Sequence, residues 1–151
     1  MRRRTLNINE VEVSDKPVLY TCYGLGSCIG LFITDRTKGL SGAAHIPLPF
    51  SPDTGVFLGA TQLIHELLNA MSALGSDLKS LRAKVAGGAH VYQSSSNIGE
   101  QNASIVLDKL VINKVYIAAK DVGGSISRTA RFNSVTGELE ISTSEKKTYY
   151  L

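Results

Sequence analysis

Residues 29–46 read IGLFITDRTKGLSGAAHI, which is two apolar runs separated by a polar one. The apolar runs have the length and composition of buried strands. The residues between them, 35–39, include Asp, Thr, Lys and Gly and favour a turn. The stretch therefore predicts a β-hairpin that begins directly after Cys28 and carries His45 near its end.

Alternating and continuous apolar patterns elsewhere predict further strands. With the hairpin included, the strand candidates are 6–13, 17–22, 29–34, 41–46, 82–86 and 115–119. A last hairpin is predicted between Phe132 and Ile141, with its turn at Thr136 and Gly137.

Two segments change to the period of a helix. Apolar residues recur every three or four positions from Val56 to Leu74, and Gly75 ends the pattern. A second helix is expected to open at Asn97, with Glu100 three residues later as its capping-box partner. Many strands and only two helices predict an α+β layered fold, a single domain over 1–151 with mixed β-sheet and both helices packed on one face.

Composition excludes several classes of protein. Of the 151 residues, 43% are apolar and 19% charged, which is typical of a globular protein. The net charge is only +3, and the one basic run, Arg2 to Arg4, is expected to be a solvated tip, so nucleic-acid binding is not expected. No apolar stretch approaches the length of a membrane helix, and no signal-peptide core follows the arginines. Two cysteines in a domain of this size favour free thiols and a cytoplasmic protein.

The segment Tyr23-Gly-Leu-Gly-Ser-Cys28 places a glycine-rich turn directly before a cysteine. Glycines let the main chain approach a ligand closely, so the N–H groups around Gly26 and Ser27 are candidates for an oxyanion hole. The spacing is not that of a dinucleotide-binding loop, because position 29 is isoleucine and a strand follows where a helix is required. Cys28 is a candidate nucleophile, and the alternative is that it is a small buried hydrophobe, as most free cysteines are.

A cysteine nucleophile needs a base, and the chain has three histidines. His65 lies beside the apolar stripe of the first helix, and His90 follows two glycines in a tight loop, where a histidine is usually incidental. His45 ends a strand just before two prolines, and the hairpin at 29–46 would bring it within reach of Cys28. Three scattered histidines form no visible ligand cluster, so no metal is expected.

Several short motifs occur along the chain in a definite order. They are Gly26-Ser27-Cys28, His45 with Leu48-Pro49, Ala83-Lys-Val-Ala-Gly-Gly-Ala89, Asn97-Ile98-Gly99 with Asn102, Asp121-Val-Gly-Gly124 with Arg128, and Phe132 through Thr136-Gly137. Each motif is weak by itself, but the ordered set covers nearly the whole chain. In this set the sequence resembles the CheD family of chemoreceptor glutamine deamidases.

The resemblance implies an amidohydrolase without a cofactor. The family's cysteine and histidine fall on Cys28 and His45, and they hydrolyse the side-chain amides of chemoreceptor glutamines to glutamate and ammonia through a thioester. The implied partners are the chemoreceptor, as substrate, and CheC, a phosphatase of the chemotaxis response regulator. The implied fold is similar to that of glutamine-deamidating bacterial toxins.

Three positions depart from the family pattern. The family commonly has a threonine, six residues before the cysteine, that orients the histidine; here that position is Cys22, and the threonine is Thr21. An offset of one residue in a strand turns a side chain to the opposite face, and a thiol is a poor hydrogen-bond partner. Gln101 and Ser127 stand where the family often has arginine and glycine. Either a loop shift restores Thr21 to the orienting position or the orienting bond to the histidine is weak, and contacts to partners are expected to be altered.

Two other functions are compatible with these residues. A binding module would keep the fold and dock CheC or a receptor with little catalysis, and release of ammonia from a glutamine peptide would distinguish it from a deamidase. A thiol redox sensor would use Cys22 and Cys28, which a disulfide can join only if their Cα atoms lie within about 7 Å.

Overall fold

The computed structural model describes residues 1–52, 55, 57–91 and 96–151. The helices and strands in this part of the chain are β1 Arg2–Thr5, β2 Val11–Ser14, β3 Val18–Leu25, β4 Ile29–Asp35, β5 Leu40–Ile46, α1 Ala60–Ala73, β6 Leu81–Gly87, α2 Ile98–Ile112, β7 Tyr116–Val122, β8 Arg128–Asn133, β9 Leu139–Thr143 and β10 Thr148–Tyr150. A short 3₁₀ turn, Leu78–Ser80, precedes β6. No helix in the described ranges is both long and apolar enough to span a membrane.

The strands form two mixed sheets of five strands each. Sheet I has the order β1-β3-β8-β9-β10, and sheet II has the order β2-β5-β4-β6-β7. One pair in each sheet is parallel, β1 with β3 and β6 with β7, and the other pairs are antiparallel.

The hairpin predicted at residues 29–46 is confirmed as β4 and β5, which lie at the centre of sheet II. Ile29 is opposite Ile46, and Gly30 is opposite His45. Every residue of both strands is buried, as expected for a pair that is covered on both faces.

Three layers follow from the alternation of side chains along this hairpin. Ile29, Leu31 and Ile33 point to one face and pack against α1 and α2. The alternate residues, such as Phe32, point to sheet I, where the Phe32 ring stacks on Phe132 with centroids 5.3 Å apart. The predicted α+β arrangement with both helices on one face of a mixed sheet is confirmed, and sheet I covers the other face.

The predicted strand at 6–13 is wrong, because a turn divides it. Asn9 adopts a left-handed conformation (φ 74°), and the N–H of Glu10 donates to the carbonyl of Asn7 at 3.1 Å. The arginines expected to be a solvated tip form β1, in which Arg2 and Arg3 are exposed as expected and Arg4 is partly buried. Arg4 Nε lies 2.7 Å from a carboxylate oxygen of Glu12 on β2.

The helix predictions are confirmed in position but differ at their starts. α1 begins at Ala60, and the predicted first residue, Val56, lies outside the described residues. Asn97 precedes α2, but the predicted capping box is wrong, because its side chain makes no capping bond. Its backbone (φ −111°, ψ 33°) is not in the extended conformation that a side-chain cap requires.

Candidate active site

A β-bulge at the end of β3 leads the chain from sheet I into sheet II. Cys22 pairs with Ala130 and Leu25 pairs with Arg128, so β3 has one residue more than β8 between these two pairs. Gly24 has φ 58°, a left-handed conformation that glycine adopts without steric cost. The next three residues after Leu25, 26–28, form the Cys28 segment, and they run directly into β4.

Three consecutive carbonyl oxygens of the Cys28 segment accept hydrogen bonds. The donors are Ala89 N to Gly26 O at 2.8 Å, Asn102 Nδ2 to Ser27 O at 2.8 Å and Gly88 N to Cys28 O at 2.9 Å. Among the described residues, the N–H groups of Ser27 and Cys28 have no acceptor.

The register of the hairpin places Cys28 and His45 on the same face of sheet II. Directly opposed residues in an antiparallel pair project to one side, so His45 shares its face with Gly30. Cys28 lies two residues before Gly30 and projects to that side as well. The two are diagonal neighbours, a relationship with Cα atoms about 7–8 Å apart. The residue opposite His45 is Gly30, and a Cβ there would lie 3.1 Å from the ring of Phe32 and 3.3 Å from the side chain of Leu25.

The imidazole of His45 is buried and has a definite hydrogen-bond partner. Its Nδ1 lies 2.9 Å from the carbonyl oxygen of Leu6, and only 5% of the residue is exposed. A carbonyl can only accept, so Nδ1 carries the hydrogen, and in the neutral ring Nε2 has a free lone pair. Burial lowers the pKa of His45, although the bond to Leu6 and the charge of Glu10 act in the opposite direction. The ring is therefore a neutral base near pH 7.

Cys28 is half-buried, and burial raises the pKa of its thiol. The thiol lies in a cleft of about 440 Å³ whose lining includes Gly26, Ser27, His90, Gly99 and Ser127. Among the described residues, the lining of this cleft includes Cys28 and His90 but not His45.

The two residues assigned to orienting the histidine lie on opposite faces of β3. Cys22 is fully buried between the two sheets, and burial, followed by the charge of Cys28, raises the pKa of its thiol to about 12. The carbonyl oxygen of Thr21 accepts a hydrogen bond from Leu6 N at 2.9 Å. Thr21 thus holds, through its main chain, the residue whose own carbonyl contacts the ring of His45.

Two contributors to the site were not predicted as site residues, although Asn102 belongs to one of the family motifs in the sequence. Leu6 acts through its main chain, which leaves no signal in a side-chain pattern. Asn102 is completely buried in α2, and its Nδ2 donates to Ser27 O and, at 3.0 Å, to Pro47 O. Its place on the apolar face of the helix, next to Ala103 and Val106, is the signal that could have found it.

The other histidines lie outside this pair. His65 is an exposed residue of α1, and His90 is an exposed residue at the rim of the Cys28 cleft. Within the ranges that the structure describes, no three His, Cys, Asp or Glu side chains are grouped to hold a metal ion.

Comparison with protein families and curated proteins gives a consistent result. The model of a family described as CheD chemotactic sensory transduction matches residues 57–143, more than half of the chain but not the positions of Cys28 and His45. A protein of Methanosarcina acetivorans named probable chemoreceptor glutamine deamidase CheD 2 is 36% identical over 95% of this chain and 67% of its own length. The chemoreceptor glutamine deamidase CheD of Halalkalibacterium halodurans is 37% identical over 89% of each chain. A protein of Methanosarcina mazei named probable chemoreceptor glutamine deamidase CheD 1 is 36% identical over 92% of this chain. The chain spans 64% of that protein's length, which is less than two thirds.

Solved structures show a related fold at low identity. The Bacillus licheniformis hypothetical protein YfiH superposes with a TM-score of 0.51 over 74% of this chain and 50% of its own, at 12% identity. A Neisseria meningitidis protein of family DUF152 gives a TM-score of 0.50 over 82% of this chain and 64% of its own, also at 12% identity. At this level of identity the likeness concerns the fold only.

Proposed function

The chain belongs to the CheD family, and from this membership we propose that it deamidates glutamine side chains of chemoreceptors, with Cys28 as nucleophile and His45 as general base. The observation that supports the proposal is the β4–β5 register, which pairs His45 with Gly30, two residues after Cys28. The ring of His45, held by Leu6 with its Nε2 lone pair free, has the protonation state that a base requires.

The proposed reaction has two stages. The sulfur of Cys28 attacks the carboxamide carbon of glutamine while its proton passes to Nε2 of His45, and the imidazolium gives that proton to the departing ammonia. The thioester that remains is attacked by a water molecule, which loses a proton to the same nitrogen. Glutamate is released and the thiol is restored, so one water is consumed for each ammonia formed.

Both stages pass through a tetrahedral intermediate with a negative oxygen. The main-chain N–H groups of the Cys28 segment, foremost those of Ser27 and Cys28, are proposed to stabilise it. Two observations support this role. The N–H groups of Ser27 and Cys28 have no acceptor among the described residues, while the carbonyl oxygens of the same segment all accept hydrogen bonds.

The proposed setting is the cytoplasm, where the free thiols of Cys22 and Cys28 stay reduced. A CheC-type phosphatase is the second partner that we propose, on the strength of the family resemblance. Altered ammonia release when purified CheC is added, together with co-elution of the two proteins, would support this partner; unchanged rates and separate elution would remove it.

Two cysteine variants test the proposed nucleophile against a matched control. With a receptor-helix peptide that contains glutamine, Cys28→Ala is expected to abolish ammonia release and to leave the thermal midpoint within a few degrees of the wild type. Cys22→Ala is expected to lower the midpoint, because Cys22 is fully buried, and to keep ammonia release. Substantial ammonia release by Cys28→Ala contradicts the nucleophile. Peptide binding by the wild type without release of ammonia identifies a docking module instead.

A further inference from the structure

We propose that Asn102 is a positioning residue for the reaction, and that its side-chain amide fixes the orientation of the N–H of Cys28 beside the cleft. This inference rests on the proposed function for its biological meaning, but its geometry stands independently. The amide joins two segments that are distant in sequence: Nδ2 donates to Ser27 O at 2.8 Å and to Pro47 O at 3.0 Å.

The bond to Ser27 O determines the direction of the next N–H group. Ser27 C=O and Cys28 N–H belong to one planar peptide unit, and the chain has no cis peptide bond among the described residues, so the two groups point in opposite directions. By drawing the carbonyl towards α2, Asn102 turns the N–H of Cys28 away from α2. That N–H has no acceptor among the described residues.

The bond to Pro47 O anchors the same amide to the strand of the base. β5 ends at Ile46, and Pro47 has no N–H with which to continue the ladder. Among the described residues, Asn102 is the only side chain that hydrogen-bonds both the segment before β4 and the segment after β5. One side chain therefore connects the loop of the nucleophile with the strand that carries the base.

Burial of the polar side chain of Asn102 costs free energy unless its hydrogen bonds offset that cost. The residue is completely buried, and its Oδ1 has no hydrogen-bond partner among the described residues. An unpartnered buried carbonyl is unfavourable, so the two hydrogen bonds donated by Nδ2 must offset its cost. The approach of α2 is also close: a Cβ on Gly99 would lie 2.3 Å from Ala89 O, so the first turn of the helix rests on the main chain beside the cleft.

Two reactions of Cys28 distinguish a changed orientation of its N–H from a general loss of order in the site. Acetylation by p-nitrophenyl acetate passes through a tetrahedral oxyanion and needs the N–H, whereas alkylation by iodoacetamide has no oxyanion and needs only the thiolate. Neither reaction requires a glutamine substrate. Mass spectrometry of the digested protein assigns both products to Cys28 rather than to the buried Cys22.

Asn102→Leu is the test variant, and Val106→Ala, a core truncation in the same helix, is the control for lost stability. For Asn102→Leu we expect the ratio of acetylation rate to alkylation rate to fall about tenfold or more, and kcat for ammonia release to fall while KM stays within about twofold. For Val106→Ala we expect the ratio to stay within about twofold despite a lowered thermal midpoint.

An unchanged ratio in Asn102→Leu, or an equal fall in both variants, overturns the inference. If Asn102→Leu does not fold, Asn102→Ser replaces it, since serine is too short to reach both carbonyls, and an unchanged ratio there has the same meaning. If the wild type is acetylated readily but releases no ammonia, the proposed function is wrong. The ratio of acetylation rate to alkylation rate then still tests the role of Asn102.

Discussion

Nδ1 of His45, in sheet II, lies 2.9 Å from the carbonyl oxygen of Leu6, the residue that follows β1 of sheet I. The hydrogen bond therefore crosses from one sheet to the other. Leu6 is itself fully buried and is held by its N–H to Thr21 O at 2.9 Å. The orientation of the proposed base depends on how the two sheets pack.

Replacing His45 with asparagine should separate structure from catalysis. An asparagine Nδ2 can occupy roughly the place of Nδ1 and keep the bond to Leu6 O, but it cannot accept a proton. We expect ammonia release to fall by about 10²–10⁴ with little change in the free energy of unfolding. His45→Leu should lose activity as well and should cost a further ~1–3 kcal/mol, because Leu6 O is left unpaired. Equal stability of the two variants in urea unfolding would contradict the role of this bond.

The pH profile of kcat/KM should have an acid limb below the ordinary histidine pKa of about 6.5. Burial lowers the pKa of His45, so the ring stays neutral and basic to a lower pH, and activity is lost only as pH falls through that lowered value. Glu10 raises the pKa of the ring, so Glu10→Gln should move the acid limb lower still. An acid limb above the ordinary histidine range, or one that Glu10→Gln moves upward, would show that another group controls it.

Cys22→Thr tests whether position 22 orients the base. Since Nδ1 of His45 already donates to Leu6 O, a hydroxyl at position 22 has no ring N–H left to accept. We expect the rate of ammonia release to stay within about twofold and the free energy of unfolding to fall by about 1–3 kcal/mol, because the hydroxyl enters an apolar core. Cys22→Val, which has the same shape without the hydroxyl, should be the more stable of the two. A severalfold gain in rate for Cys22→Thr would restore the orienting role.

Gly87→Ala should damage the site by displacing the main chain. Gly87 has φ 113°, and a Cβ there would lie 2.1 Å from Cys28 O. Gly39→Ala is a matched control, since Gly39 has φ 66° and a Cβ added there would meet no atom within 4 Å. The control should lose about 1–2 kcal/mol of stability from left-handed strain and keep its activity. Gly87→Ala should lose a further ~1–3 kcal/mol from overpacking and also lose ammonia release. Equal losses in both variants would indicate that the contact with Cys28 O is unimportant.

Local patterns predicted the elements that residues near in sequence determine. The β4–β5 hairpin, both helices and the hairpin of β8 and β9 follow from periodicity and turn residues. The turn at Asn9 was missed because the residues around it still alternate between apolar and polar. β10 was missed because three residues carry too little pattern.

The parts of the site that could not be predicted are held by long-range main-chain contacts. Leu6 O and Pro47 O are groups that every residue type possesses, so nothing in the residues at 6 and 47 marks them. Asn102 bridges 75 positions to Ser27 and 55 to Pro47, and such pairings depend on the tertiary fold rather than on spacing.

Among the described residues, and apart from the amide of Asn102, the atoms that hydrogen-bond the carbonyl oxygens of the Cys28 segment belong to the backbone of Gly88 and Ala89, and the atom that hydrogen-bonds the ring of His45 belongs to the backbone of Leu6. Because these hydrogen bonds come from the main chain, side chains near Cys28 and His45 can be substituted without removing them. In a saturation mutational scan, we expect wide tolerance at Leu6 among apolar residues of similar size. Intolerance should be concentrated at Gly87, Asn102 and the reacting pair. The site would then accommodate new partner surfaces through substitutions at its rim without losing its chemistry.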